Sequence, residues 1–278
     1  METWHRIQAG LGGWGLLVLA LLVIFFLVRV VWFVRRRQRR ERRRAAGAAL
    51  AASRGWEYRL GDLGWVEFDH WRGTLHGVAW ELEARAPAPH APRRWRRRYT
   101  RWRTADLTLP DGFVAVMPFP ADDQARAGVT FPLGQGGSGP GSTRAQRATA
   151  FFLRHYFSAT FDVEGKEVLG EDLAGISRWA PPELAATWTA FSSDEQLARA
   201  VLAPPVDGLF LKWLEHVAEA APGGAGIPAV LFWREGLALG FPAAVQSDEE
   251  LQRVVALGAA ICALGRERGG WSAAPGTA

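Results

Sequence analysis

The sequence predicts an α+β protein: one N-terminal transmembrane helix extended into the cytoplasm, then antiparallel β hairpins forming a sheet packed with two to four helices. Three observations predict it. Residues 14–34 read WGLLVLALLVIFFLVRVVWFV, an apolar run with one charge. The stretch GWVEFDHWRGTLHGVAWELEARA alternates apolar and polar residues, the period of a strand with one buried face. The last hundred residues place apolar side chains at helical spacing behind Ser-Asp-Glu starts.

The anchor comes first. At 1.5 Å per residue the run 14–34 makes a helix about 31 Å long, close to the ~30 Å of a bilayer's hydrocarbon core. Trp14 and Trp32 lie near its ends, where amphipathic rings favour the interface. Arg29 sits near the far end and can snorkel toward headgroups. A cleaved signal peptide is the alternative. The length of the run, the basic charge that follows it and the missing small-residue cleavage site argue against it. A buried core helix would show an amphipathic face, and Leu16–Leu27 shows none. The N-terminal flank METWHRIQAG carries one Arg and one Glu, whereas RRRQRRERRR at 35–44 carries eight Arg and one Glu. By the positive-inside rule the body is cytoplasmic. Residues 1–13 are then a short extracytoplasmic N-terminus, 14–34 the span and 35–54 a basic juxtamembrane helix stopped by Gly55. Thirty-one of the 33 basic residues are Arg, the exceptions being Lys166 and Lys212. With abundant Ala, Gly and Pro, this bias suits a GC-rich bacterial genome, so the predicted site is a bacterial inner membrane, crossed once.

The body follows in two parts. Residues 55–132 read as mainly antiparallel β. Alternation puts Val66 and Phe68 on one face, continued by Val78, Trp80, Leu82 and Ala84, with Glu67, Asp69, Glu81, Glu83 and Arg85 opposite and His76-Gly77 at the turn. RRYTRWRTADLTLP and GFVAVMPFP read as further strands. One face of the former carries Tyr99, Arg101 and Arg103, the other Thr100, Trp102 and Thr104. Residues 133–147 form a Gly-rich linker. Gly134, Gly136 and Gly139 match the GxGxxG spacing, but Pro132 and Pro140-Gly141 deny it the strand–helix context of a dinucleotide site.

Residues 148–270 form an α+β part, and 271–278 a flexible C-terminus. STRAQRATAFFLRHYF is a helix, and FDVEGKEVL an extended segment with an interrupting turn. SDEQLARAV and SDEELQRVV fit capping boxes, Ser193 with Gln196 and Ser247 with Glu250. Their likeness is open to two readings, an old duplication or convergent capping chemistry. Between them come a helix over Asp207–Ala220 and a hairpin turning at Arg234-Glu235-Gly236. The closing helix faces Leu251, Val254, Val255, Gly258, Ile261 and Cys262 inward, which makes the sole cysteine a packing residue.

Charge supplies the candidate site. Residues 35–44 and the stretch RRWRRRYTRWR at 93–103 each carry +7; taking both from the net +5 leaves −9 on the rest. A nucleic-acid domain spreads positive charge over a face, so two compact patches on an acidic body argue against nucleic acid and for local contact with something negative. The candidate anionic-lipid contacts are Arg35, Arg36, Arg37, Arg39 and Arg40 beside the span, and Arg93, Arg94, Trp95, Arg96, Arg97, Arg98 and Trp102 in the second patch. The competing reading is a solvated loop with its tryptophans packed on the body.

The basic helix running into SRGWEY, the hairpin WRGTLHGVAWELEARA, the strand RRYTRWRTADLTLP and the block FSSDEQLARAVLAPPVDGLFLKWL together resemble a widespread, uncharacterised family of bacterial membrane-anchored proteins. The resemblance covers residues 45–245. It implies a domain of unknown function, with strand, acidic cap, short helix, proline and second helix in that order. It supplies no catalytic residues. The Gly-rich linker and the size of the Arg cluster depart from the pattern.

No HExxH, CxxC pair or GxSxG occurs. Asp69, His70 and His76 are the one close group of metal-ligand types, and they sit around a hairpin. No metal or other cofactor is expected. Three readings follow: a membrane-tethered interaction or scaffold module with an unknown protein partner, a domain oriented by anionic lipid headgroups, or an enzyme whose site carries no recognisable motif. The first has the most support.

Overall fold

Helix α1 (Glu2–Arg54) is unbroken, so residues 2–13 belong to the same helix as the apolar run and the basic segment. Its 53 residues include no proline to interrupt the ladder. It stops as the sequence predicts. Gly55 turns left-handed at φ +69°. Trp56 N–H then donates to the Ala51 carbonyl at 2.8 Å and Gly55 N–H to Ala52 at 3.4 Å, closing two orphan carbonyls.

The computed structural model describes residues 2–62, 66–87, 98–109, 111–118, 140–169, 176–179, 181–219, 226–245 and 247–268. The chain divides into two units, Met1–Leu50 and Ala51–Ala278. The predicted C-terminal tail at 271–278 and the GxGxxG glycines lie outside the described residues.

In the second unit, nine strands among the described residues form one antiparallel sheet. They are β1 (Glu57–Asp62), β2 (Val66–Leu75), β3 (Val78–Pro87), β4 (Tyr99–Thr104), β5 (Phe113–Met117), β6 (Ser177–Trp179), β7 (Thr189–Ser192), β8 (Ala229–Trp233) and β9 (Gly236–Phe241). Their order is β1-β2-β3-β4-β9-β8-β5-β7-β6. Segments 55–132 and 148–270 therefore interleave: β4 pairs with β9, and β5 lies between β8 and β7.

The β2–β3 hairpin turns at His76-Gly77, both with positive φ (52° and 73°), the conformation a two-residue hairpin turn needs. Leu75 pairs with Val78, and that register aligns Asp69 with Ala84 and Trp71 with Leu82. Asp69 therefore shares the face of Trp80, Leu82 and Ala84, while Phe68 shares the face of Arg85. This corrects the expectation for β2. Asp69 is buried and accepts a hydrogen bond from the Tyr58 hydroxyl at 2.7 Å, which offsets its burial. The faces of β3 and β4 are as expected, with Thr100, Trp102 and Thr104 buried.

Among the described residues five helices join the sheet: α2 (Pro140–Phe161), α3 (Gly165–Leu169), α4 (Glu195–Val201), α5 (Val206–Glu219) and α6 (Asp248–Glu267). Helix α2 begins at Pro140, inside the expected linker; proline suits a first helical turn, where its missing N–H is no loss. Its Ala150, Leu153, Phe157 and Phe161 pack on one face of the sheet with Phe113, Leu231 and Trp233. On the opposite face, α6 lays Gly258 on Trp102, and Trp213 of α5 meets Phe241 at a ring separation of 5.3 Å. The segment expected to be extended holds α3 instead. There Gly165 lets the chain approach α2 so closely that a Cβ would lie 2.4 Å from the Arg154 Cα.

One predicted serine cap is in place: Ser247 caps α6, accepting from the Glu250 N–H at 3.2 Å. The other is not. Asp194 caps α4, accepting from the Gln196 N–H at 3.0 Å, and the Ser193 hydroxyl accepts from Phe113 N–H at 3.2 Å, tying the helix start to β5. The β8–β9 hairpin turns on Arg234 and Glu235 alone, with Gly236 paired to Trp233.

Candidate functional site

The two basic patches have different fates. Arg35, Arg37 and Arg39 of α1 are exposed, and Arg36 and Arg40 are half-buried. Arg37 pairs with Glu41 one turn on, at 2.9 Å. Trp32 is flanked by two guanidinium groups, Arg29 at 5.9 Å and Arg36 at 5.5 Å from its ring centroid, an arrangement suited to cation–π attraction.

In the second patch, Arg93, Arg94, Trp95, Arg96 and Arg97 lie outside the described residues. Arg98 is exposed just before β4. Trp102 is fully buried, so its candidacy as a lipid contact is withdrawn: the β4 alternation that turns arginines outward turns this indole into the core.

Arg101 is a residue the sequence did not single out. Its side chain is only 14% exposed. Its Nε donates to the Thr160 carbonyl at 2.9 Å and its Nη2 to the Ala159 carbonyl at 3.1 Å, closing the C-terminal end of α2, where partial negative charge gathers. The guanidinium lies 4.0 Å from the Tyr99 ring centroid, and Nη1 donates to the Tyr99 oxygen at 3.3 Å. Tyr99 in turn donates to Glu83, whose other carboxylate oxygen is 3.3 Å from His70 Nε2. Burial, and then this bond to a carboxylate, push the Tyr99 hydroxyl up to about 12. On the next row Glu81 holds both Arg72, at 3.2 Å, and Arg103. The exposed face of β2–β4 is thus a ladder of opposite charges that satisfies itself.

Beside this cluster a cleft of about 370 Å³ opens, lined by Arg98, Tyr99, Tyr156, Thr160, Ile227 and Phe241 among others. Burial holds the Tyr156 hydroxyl up to about 12, so both tyrosines stay protonated at neutral pH. Among its described residues the cleft offers an apolar wall, neutral hydroxyls and one exposed cation; it has the makings of a binding concavity. Its residues come from β4, α2 and the β8–β9 region, too far apart in sequence for any local motif to reveal.

Asp69, His70 and His76 do not assemble. Asp69 and His70 occupy opposite faces of β2, and no group of three His, Cys, Asp or Glu among the described residues is placed to hold a metal. Cys262 is buried, its thiol pushed up to about 12 by burial, as a packing cysteine should be. The described strands are antiparallel, unlike the parallel βαβ unit of a dinucleotide fold.

No family model, curated protein or solved structure matches the chain. Fold and site together define an α+β protein with one long apolar N-terminal helix and, among the described residues, a nine-strand antiparallel sheet.

Proposed function

We propose that this chain is a single-pass protein of the bacterial inner membrane, its N-terminus outside and its sheet domain in the cytoplasm, acting as an interaction or scaffold module. The observation that carries the reading is the apolar stretch of α1. From Leu17 to Val34 the large apolar side chains are between 37% and 67% exposed, all around the helix. A helix apolar on every side and covered by no protein is the form a bilayer stabilises. Mean hydropathy there reaches 3.0. The unbroken helix through Arg54 supports a span over a cleaved signal sequence. The eight arginines that follow favour the cytoplasmic orientation and supply a basic collar for anionic headgroups.

The interaction module is supported by how the body spends its chemistry. Tyr99 and Tyr156 keep their protons, the cysteine is packed away, and Asp69, Glu81 and Glu83 hold partners rather than face open space. The test is a pair of C-terminal fusions in a bacterial host, one to a fluorescent protein that matures only in the cytoplasm and one to a phosphatase active only outside it. Fluorescence without phosphatase activity, on a chain whose mass includes residues 1–34, is expected. Phosphatase activity would reverse the orientation, and loss of the N-terminal mass would make α1 a signal sequence.

A further inference from the structure

We propose that the cleft beside Tyr99 and Tyr156 binds a small amphipathic anion, a carboxylate or phosphate group carried on a short apolar chain or ring. This goes beyond the membrane topology and does not depend on it. The volume of about 370 Å³ lies within the range of roughly 300–1,000 Å³ typical of small-molecule sites. The walls are chiefly apolar or aromatic, with Ile227, Phe241 and Pro242 beside the two tyrosine rings. Arg98 is the only charged residue in the lining among the described residues. It is exposed, and it takes part in none of the hydrogen bonds or ion pairs found among the described residues.

Three polar groups beside Arg98 already have partners. The carbonyls of Ala159 and Thr160 would present the negative end of α2 to a ligand, but Arg101 closes both. The Tyr99 hydroxyl is donated to Glu83. Arg98 is left to set the sign of the preferred head group, and the apolar wall to favour a hydrocarbon body. A free amphiphile and a lipid drawn from the bilayer share this chemistry.

The test uses the full chain in nanodiscs of zwitterionic lipid, with empty discs to subtract partitioning. Octanoate and its neutral counterpart octanol are titrated and followed by carbon-13 shifts. Octanoate is expected to bind more tightly than octanol. Arg98→Gln should weaken octanoate about five- to tenfold and leave octanol unchanged, as loss of one partly exposed charged hydrogen bond requires. Ile227→Trp, which fills the cleft, should weaken both by about tenfold or more. Repeating the titration in discs containing phosphatidylglycerol separates the sources: competition identifies bilayer lipid as the occupant, and undiminished octanoate binding identifies a free molecule. Equal binding of octanoate and octanol by the wild type, or wild-type binding by both variants, overturns the proposal.

Discussion

Trp102 of β4 and Gly258 of α6 touch so closely that a Cβ at residue 258 would lie 2.5 Å from the indole ring. The tryptophan is fully buried, and the helix can lie flat on the sheet only because residue 258 has no side chain. Gly258→Ala should therefore push α6 off the sheet or force Trp102 out of its rotamer, destabilising the domain by about 1–3 kcal/mol. Trp102→Ala should leave a cavity at the same contact and cost about 3–5 kcal/mol. Denaturant midpoints followed by tryptophan fluorescence check both. The two changes act on one contact, so the double variant Trp102→Ala/Gly258→Ala should be less destabilised than the sum of the singles. Strict additivity would show that the contact is not tight.

The end of α2 gives a second prediction. Arg101 reaches two carbonyls and a tyrosine oxygen at once, which only a planar fork with several donors can do. Arg101→Lys should lose most of this and destabilise by about 1–2 kcal/mol; Arg101→Leu should cost about 2–3, because the helix carbonyls are left unpaired while partly buried. Amide exchange should rise first in the last turn of α2. A uniform rise over the domain would mean that Arg101 acts on global packing rather than as a cap.

The same arginine shows where sequence reading succeeded and where it stopped. Parity within a strand was legible: the alternation of Thr100, Trp102 and Thr104 with Tyr99, Arg101 and Arg103 is what β4 adopts. Yet the eleven residues 93–103 looked uniform by composition, and their charge invited one explanation for all. The strand divides them. Arg101 is enclosed by a helix end 59 residues away, Arg103 pairs across to Glu81, and Arg98 faces open space. No local pattern encodes a partner at that separation. The face of Asp69 is fixed by the hairpin turn. A two-residue turn at His76-Gly77 sets Leu75 opposite Val78, and counting back from Trp80, Leu82 and Ala84 gives Gly73, Trp71 and Asp69. Reading each strand by its apolar residues alone missed this, because Phe68 turns its ring outward toward Arg85. The long apolar helix was legible from Trp14 to its stop at Gly55, both set by local chemistry; its extension back to Glu2 was not, since residues 2–13 carry no apolar run to mark it. The interleaving of β5, β8 and β9 was not, since all three are buried on both faces and carry no alternation to orient them.

Alkaline pH should unfold this domain over a defined window. Tyr99 and Tyr156 ionise at about 12 in the folded chain against 10.0 for a free tyrosine, and Cys262 at about 12 against 9.0. Each folded value is raised, so above the unfolded value the unfolded chain has shed a proton that the folded chain keeps. The stability linked to these groups is fully present below about pH 9, falls first through Cys262, then through both tyrosines from about pH 10, and is lost by about pH 12. Denaturant midpoints across this range, with tyrosinate absorbance alongside, check the sequence of events. Tyr156→Phe, which removes one titrating hydroxyl and leaves the ring, should flatten the upper part of the curve. A curve as steep as that of the wild type would show that Tyr156 ionises freely in the folded state.

The basic segment before β4 makes the last prediction. Arg98 is exposed and continues from Arg93, Arg94, Arg96 and Arg97 in sequence. Each arginine near an anionic surface contributes about 1 kcal/mol, fading beyond a Debye length of about 8–10 Å. Five together would supply several kcal/mol, enough to hold the domain against an anionic bilayer. The unit Ala51–Ala278, without its helix, should then co-sediment with phosphatidylglycerol vesicles but not with zwitterionic ones, and added salt should release it. Changing the five arginines to glutamine should abolish binding while leaving the denaturant midpoint in place, since Arg101 and Arg103 hold the strand. Changing Arg98 alone should weaken the vesicle contact by only about a fifth of the total free energy, even though it removes the one charge among the cleft's described residues. If the wild-type unit stays in solution with both kinds of vesicle, the segment is a solvated loop and the lipid reading of this patch fails.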